Sequence, residues 1–203
     1  MMPYCLCALL GYLLGSLNLA WFLSKAKGFD IRAHGSNNAG ASNAAITMGF
    51  KFGIAVALHD VAKACAAGLL AGLLFPGLTA APAISAVSAV MGHIFPFYLH
   101  FKGGKGFAPF LGLTLALDWR FFLAIIFVAF LITLITDYIV LGTFTTIASF
   151  PVYLFFTRTS LLIIAIVCVA SLVIFYKHFI NLKRLATGQE IGLRRTLSKQ
   201  DRV

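Results

Sequence analysis

Acidic side chains are what this chain has least of. Six Asp and Glu stand against sixteen Lys and Arg in 203 residues, giving a formal charge of +10, and all charged residues together make up 11%. A soluble domain averages about 25% charged residues, and 61% of this chain is apolar, so an ordinary soluble globule is excluded. Carboxylates this sparse cannot build a carboxylate-bound metal site. The four cysteines, Cys5, Cys7, Cys65 and Cys168, lie in apolar segments with no CxxC spacing and no neighbouring His set. A zinc site or disulfide framework is therefore not expected, and they read as small packing residues. No Gly-x-Ser-x-Gly elbow and no HExxH pair occurs, and no histidine has Asp five positions on. The start, Met1-Met2-Pro3-Tyr4, lacks the positive side chain of a cleavable signal, whereas the apolar run from Cys5 to Leu23 is long enough to span a bilayer.

What is present is hydrocarbon, punctuated by polar loops. Apolar runs cover Tyr4–Ser24, Phe52–Phe75, Ala81–Tyr98, Phe121–Thr136, Tyr138–Phe156 and Leu161–Tyr176. A shorter piece, Phe107–Leu117, is too short at about 1.5 Å per residue to cross a ~30 Å core unaided. Gly11 and Gly15 in the first run have the small-xxx-small spacing of closely packed helices. The basic residues sit at the ends of these runs instead of forming a stripe, which suits membrane orientation and anionic ligands and excludes nucleic acid as a partner. Lys25, Lys27, Arg32, Lys51, Lys102, Lys105 and the tail from Lys177 to Arg202 fall on one side if seven segments cross; Arg120 and Arg158 fall on the other. The expected fold is all-α: a polytopic integral membrane protein of seven transmembrane helices, with its motif loops and C-terminus cytoplasmic and its N-terminus outside. A single domain over residues 1–193 and a basic tail over 194–203 are expected, in contact with membrane lipids and as a monomer.

Three polar clusters share the cytoplasmic side. The first is Arg32-Ala33-His34-Gly35-Ser36-Asn37-Asn38-Ala39-Gly40-Ala41-Ser42-Asn43, whose hydroxyls and amides can bond phosphate or alcohol oxygens; alone it would pass for a turn-rich loop. The second runs from Gly92-His93-Ile94-Phe95-Pro96 to Phe101-Lys102-Gly103-Gly104-Lys105-Gly106-Phe107, where glycines can turn backbone N–H groups to an oxyanion and two lysines can neutralise it. It is no Walker A loop, because Gly106 follows Lys105 where Ser or Thr would hold magnesium. The third is His178-Phe179-Ile180-Asn181-Leu182-Lys183-Arg184, in which His178, Asn181 and Arg184 share a helix face. Asp60 and Lys63, three apart within the second run, read as a structural ion pair facing the bundle interior.

These ordered motifs, with Gly15-Ser16 before them and Gly188 and Glu190 after, resemble the bacterial membrane glycerol-3-phosphate acyltransferases known as PlsY, over about residues 8–190. The resemblance implies an enzyme of the bacterial plasma membrane that passes an acyl group from acyl phosphate to the 1-hydroxyl of sn-glycerol 3-phosphate. The products would be lysophosphatidate and phosphate, and no cofactor or metal is implied. It assigns catalysis to Ser36, His93, Lys105 and Asn181. Substrate binding falls to Asn38, Ser42, Asn43, Lys102, Gly103, Gly104, Thr143, His178 and Arg184, with the Gly103 and Gly104 N–H groups facing the oxyanion. The chain departs from the family pattern at Asn37 (commonly Gly), at Ile46 (commonly a phosphate-binding Arg, a loss His34 or Arg32 could offset), and at Val140-Leu141-Gly142-Thr143 (commonly serine-rich). The residues alone leave open a small membrane transporter or binding protein for an anionic solute, or an inactive lipid-binding relative.

Overall fold

The computed structural model of the chain describes residues 1–197. Among the described residues ten α-helices follow one another: α1 (Met2–Ser16), α2 (Leu19–Ala26), α3 (Ala41–Met48), α4 (Phe50–Leu74), α5 (Ala81–Ile94), α6 (Phe107–Leu117), α7 (Trp119–Thr136), α8 (Ile139–Phe156), α9 (Leu161–Ala186) and α10 (Leu193–Leu197). Among the described residues there is no strand. Six segments are long and apolar enough to cross a membrane, α1 and α2 counting as one, and α6 is a shorter apolar helix of 11 residues. The expected all-α, multi-pass architecture is the one observed. Most of the proposed tail, 198–203, lies outside the described residues; residues 194–197 belong to α10.

Three boundaries differ from the sequence reading. The first span is broken at Leu17-Asn18, because the Asn18 side chain accepts from Trp21 N–H at 2.9 Å and starts a new helix there. The polar stretch between the first two apolar runs, expected as a loop, contains α3. The last helix continues ten residues past Tyr176, to Ala186, so the third motif is the end of a long helix and not the start of a tail.

In lipid the hydrophobic effect does not drive helices together, so close packing must. A Cβ on Gly11 would lie 2.9 Å from Ser85 Cα, and one on Gly15 would strike the Ala89 backbone, so α1 lies directly on α5. Gly92 permits the same approach from the other side, against Tyr12 and Ser16. A second core joins α5, α6, α8 and α9 through Ile94, Phe110, Leu113, Phe150, Val167 and Ile174. Phe110 and Phe150 meet edge-on at 6.0 Å.

The short α6 starts inside the protein. Gly106 at its N-cap packs on Ile94 and Ile174, while its far end, at Ala116, reaches Gly68 of α4. Asp118 then caps α7, accepting from Arg120 N–H at 2.8 Å, and takes a 2.6 Å hydrogen bond from Tyr153 of α8. So α6 returns the chain to the side of the α4–α5 turn, and every polar motif gathers at the opposite end of the bundle.

Candidate active site

The break in the first span supplies the first piece. Leu17 adopts an extended conformation and its carbonyl leaves the helical ladder, where it accepts from Lys63 Nζ of α4 at 2.7 Å. The same ammonium lies 2.7 Å from Asp60 Oδ1 and 3.1 Å from His93 Nδ1 of α5. Asp60, Lys63 and His93 are all buried, between 2% and 5% exposed. The pair expected between Asp60 and Lys63 is therefore present, and it does more than join two turns of a helix: it holds a histidine.

The first motif folds around Asn43. Its Nδ2 donates to the carbonyls of Ile31 (2.9 Å), His34 (3.0 Å) and Asn38 (2.8 Å), and its Oδ1 accepts from Ser36 N–H at 2.7 Å. Asn43 is fully buried and fully used, so it shapes the loop instead of meeting a substrate. Ser36, Asn38 and Ser42 are the polar members of this motif that line the cavity described below. Arg32 does not substitute for a cation at Ile46. It is locked to Asp30 (2.8 Å) and to the Leu99 carbonyl (3.0 Å), and its guanidinium holds the Asp30 carboxyl well below the usual carboxylate range. His34 packs edge-on against Phe29 at 5.3 Å and does not line the cavity either.

The second motif corrects the expected oxyanion site. The N–H groups of Gly103 and Gly104 donate to the Ile94 and His93 carbonyls, both at 3.1 Å, closing the end of α5. They are consumed by the fold. Gly104 instead makes room: a Cβ there would lie 2.7 Å from His93 Cε1 and 2.9 Å from Cδ2. Lys102 points away, into a separate shallow cleft with Asp30, Arg32 and His100. The free donors lie one turn later, at the start of α6. The N–H groups of Phe107 and Ala108 have no partner among the described residues, and both residues border the cavity.

From the third motif, Asn181 Oδ1 accepts from Lys105 Nζ at 2.5 Å while its Nδ2 donates to Glu190 at 2.6 Å. Burial pushes the Lys105 ammonium down to about 8, with Glu190 opposing that shift and Arg184 adding to it. His178 Nδ1 lies 3.0 Å from the Ile174 carbonyl. A carbonyl can only accept, so Nδ1 carries the proton and Nε2 is the acceptor. Glu190 arrives on the segment after Gly188, which is latched to the α7–α8 turn by hydrogen bonds from Leu193 N–H and Arg194 N–H to Asp137, each 2.8 Å.

These pieces surround one cavity of about 280 Å³. Its polar half is Ser36, Asn38, Ser42, Asp60, His93, Lys105, Thr143, His178, Asn181, Arg184, Glu190 and Thr196. Its apolar half, Ala45, Ile46, Phe50, Ile54, Ile139 and Val140, comes from α3, α4 and α8 and ends in the exposed side chains of Phe50, Ile54 and Ile139. Thr143 lines the cavity while its hydroxyl bonds back to the Ile139 carbonyl at 3.2 Å. Of the thirteen residues singled out by sequence, Asn43, Lys102, Gly103 and Gly104 do not line it. Asp60, absent from that set, does; its signal was a carboxylate at mid-span, which membranes rarely accept without a task.

The helices thus wall a cavity half with hydrocarbon and half with lysine, amides and histidines, a lining whose chemistry suits an amphiphile with an anionic head. The family model for glycerol-3-phosphate acyltransferase matches residues 5–188. Glycerol-3-phosphate acyltransferase 1 of Oceanobacillus iheyensis is 36% identical over 98% of this chain and 99% of its own. The Bacillus subtilis glycerol-3-phosphate acyltransferase is 35% identical over 90% and 93%. Among solved structures, PlsY (YgiH), an integral membrane glycerol 3-phosphate acyltransferase in its glycerol 3-phosphate form, aligns with a TM-score of 0.88 at 31% identity, covering 94% of this chain and 95% of that one. Its lysophosphatidic acid form aligns with a TM-score of 0.85. This chain belongs to the glycerol-3-phosphate acyltransferase family. It is an acyltransferase, and the transporter reading is thereby set aside.

Proposed function

We propose that the chain transfers an acyl group from acyl phosphate to the 1-hydroxyl of sn-glycerol 3-phosphate, giving lysophosphatidate and inorganic phosphate for phospholipid synthesis. The reading is supported above all by Lys105 and the free N–H groups of α6 standing at the polar end of a cavity whose other end is apolar and open at its rim. Acyl phosphate is a mixed anhydride with a good leaving group, so alignment and charge neutralisation suffice. The acyl chain lies along Ile46, Phe50, Ile54 and Val140. Lys105 and Arg184 balance the phosphates, and the Phe107 and Ala108 N–H groups receive the carbonyl oxygen as it becomes an oxyanion.

Ser36, Asn38 and Asn181 orient glycerol phosphate, and His178 Nε2 accepts the hydrogen of its 1-hydroxyl. The hydroxyl oxygen then bonds to the carbonyl carbon, the carbon–oxygen bond to phosphate breaks, and the hydroxyl proton leaves with the phosphate. The protein works as a monomer in a bacterial plasma membrane, with the site and C-terminus cytoplasmic and the N-terminus outside. The test is phosphate release by the purified chain from palmitoyl phosphate and glycerol 3-phosphate. Release should require both substrates and fall about 10²–10³-fold in Lys105→Ala. A folded preparation that releases no phosphate with both present overturns the reading.

A further inference from the structure

We propose that Lys63 and Asp60 are positioning residues that fix His93 in one tautomer, so that its Nε2–H is a permanent hydrogen-bond donor to a substrate oxyanion. The Lys63 ammonium has three N–H donors and can accept nothing. Three neighbours surround Lys63 Nζ: the Leu17 carbonyl at 2.7 Å, Asp60 Oδ1 at 2.7 Å and His93 Nδ1 at 3.1 Å. A ring nitrogen that receives a hydrogen bond from an ammonium must be unprotonated, so the proton of a neutral His93 sits on Nε2.

Asp60 is the competing influence, since it could accept from a protonated Nδ1. It stands farther from that nitrogen, at 3.4 Å, and its charge is matched by Lys63 at 2.7 Å, with His59 Nδ1 on its other side at 3.5 Å. The pair cancels to zero net charge and leaves the imidazole neutral. Nε2 makes no hydrogen bond among the described residues, and the ring edge that carries it packs against Gly104, beside Lys105, where the histidine lines the cavity.

His93 is thus the opposite of His178. In His178 the Ile174 carbonyl holds the proton on Nδ1 and turns an acceptor to the cavity. One histidine receives a hydrogen bond from substrate and the other gives one. His93 is therefore a fixed donor and not a proton shuttle. A donor held by a buried lysine costs nothing to reorganise when negative charge gathers on a phosphoryl or acyl oxygen, and that is the condition under which such donors contribute most.

This inference rests on the acyl-transfer reading for its substrate, but its first test needs none. In the full chain labelled with 15N-histidine and held in phospholipid nanodiscs, the NMR signal lost in His93→Gln identifies the residue. Wild type should show a protonated Nε2 and a bare Nδ1. In Lys63→Met, Asp60 becomes the sole partner and the proton should move to Nδ1. A wild-type His93 protonated on Nδ1, or on both nitrogens, overturns the proposal whatever the enzyme's substrate.

Kinetics with palmitoyl phosphate and glycerol 3-phosphate provide the second test. His93→Ala should lose about 10²–10³-fold, whereas His93→Gln, whose carboxamide N–H reaches the Nε2 position, should recover most of that loss. A fall in kcat at constant KM identifies the developing acyl oxyanion as the acceptor, and a rise in KM identifies a ground-state phosphate. Lys63→Met should be impaired, and Asp60→Asn with Lys63→Met should regain activity because the new amide can donate to Nδ1. The proposal fails if His93→Gln is as slow as His93→Ala, or if the double variant, folded by thermal melting, is no faster than Lys63→Met.

Discussion

If Lys105 meets phosphate as proposed, it carries two burdens at once: it must be charged, and it is buried enough to be reluctant. With its ammonium pushed down to about 8, the charged form is present below that pH and is lost above it. The KM for glycerol 3-phosphate should therefore rise roughly fivefold between pH 8 and pH 9, as for a single titration centred at about 8. Lys105→Arg keeps its charge throughout and should show a flat profile; initial rates across this pH range check both. Gly104 carries a steric burden instead. Gly104→Ala would press a methyl into the His93 ring, and an activity loss of about tenfold or more with little change in melting temperature is expected, as for a misplaced catalytic group. At the residue scale, nine of the thirteen residues picked from the sequence line one cavity. The sequence could not announce roles. Gly104 serves by lacking a side chain and not by donating, and Asn43 is spent on three carbonyls and an amide of its own loop. Composition cannot tell a polar group that faces a ligand from one that has already found its partners.

The elements at the motif end are joined by few but well-placed bonds. Asp137 sits at φ +73°, in the left-handed region that ends α7, and reaches across to the chain beyond α9. In the sequence it stands only between two apolar runs, because its partners Leu193 and Arg194 are more than fifty positions away and no local pattern connects them. Asp137→Gly keeps the backbone conformation and removes the carboxylate. Losing one carboxylate-to-amide bond of capping type costs about 1 kcal/mol, so the segment carrying Glu190 should open several times more often. Faster limited proteolysis within residues 188–197 and a KM raised a few-fold should report it. The broken first span was equally hard to foresee: Asn18 reads as one polar residue in a long apolar run, and only the fold shows that it caps α2 and also donates to the Ala39 carbonyl at 3.0 Å.

Across the whole molecule, the spacing of Gly11 and Gly15 gave a legible prediction of close helix packing, and α5 is the helix it serves. Gly15→Leu should separate α1 from α5, destabilise by about 1–3 kcal/mol or more and lower Tm by several degrees. Gly77→Ala, where an added Cβ meets nothing within 4 Å, should not move Tm. The six long spans were legible because hydrocarbon length is a coarse physical requirement. Where the spans meet was not, because lipid-facing and protein-facing leucines look alike. The waist at Leu17-Asn18 bears on how such a chain is made. Asp60 and Lys63 stand near the middle of α4, and a lone charge there costs about 2.5–3.5 kcal/mol to insert. The α4 segment carries two such charges, and its lysine finds a carbonyl on a helix synthesised before it. The order of synthesis thus matches the order of need: the N-terminal span is already in the bilayer, its open backbone ready to receive the charge that follows.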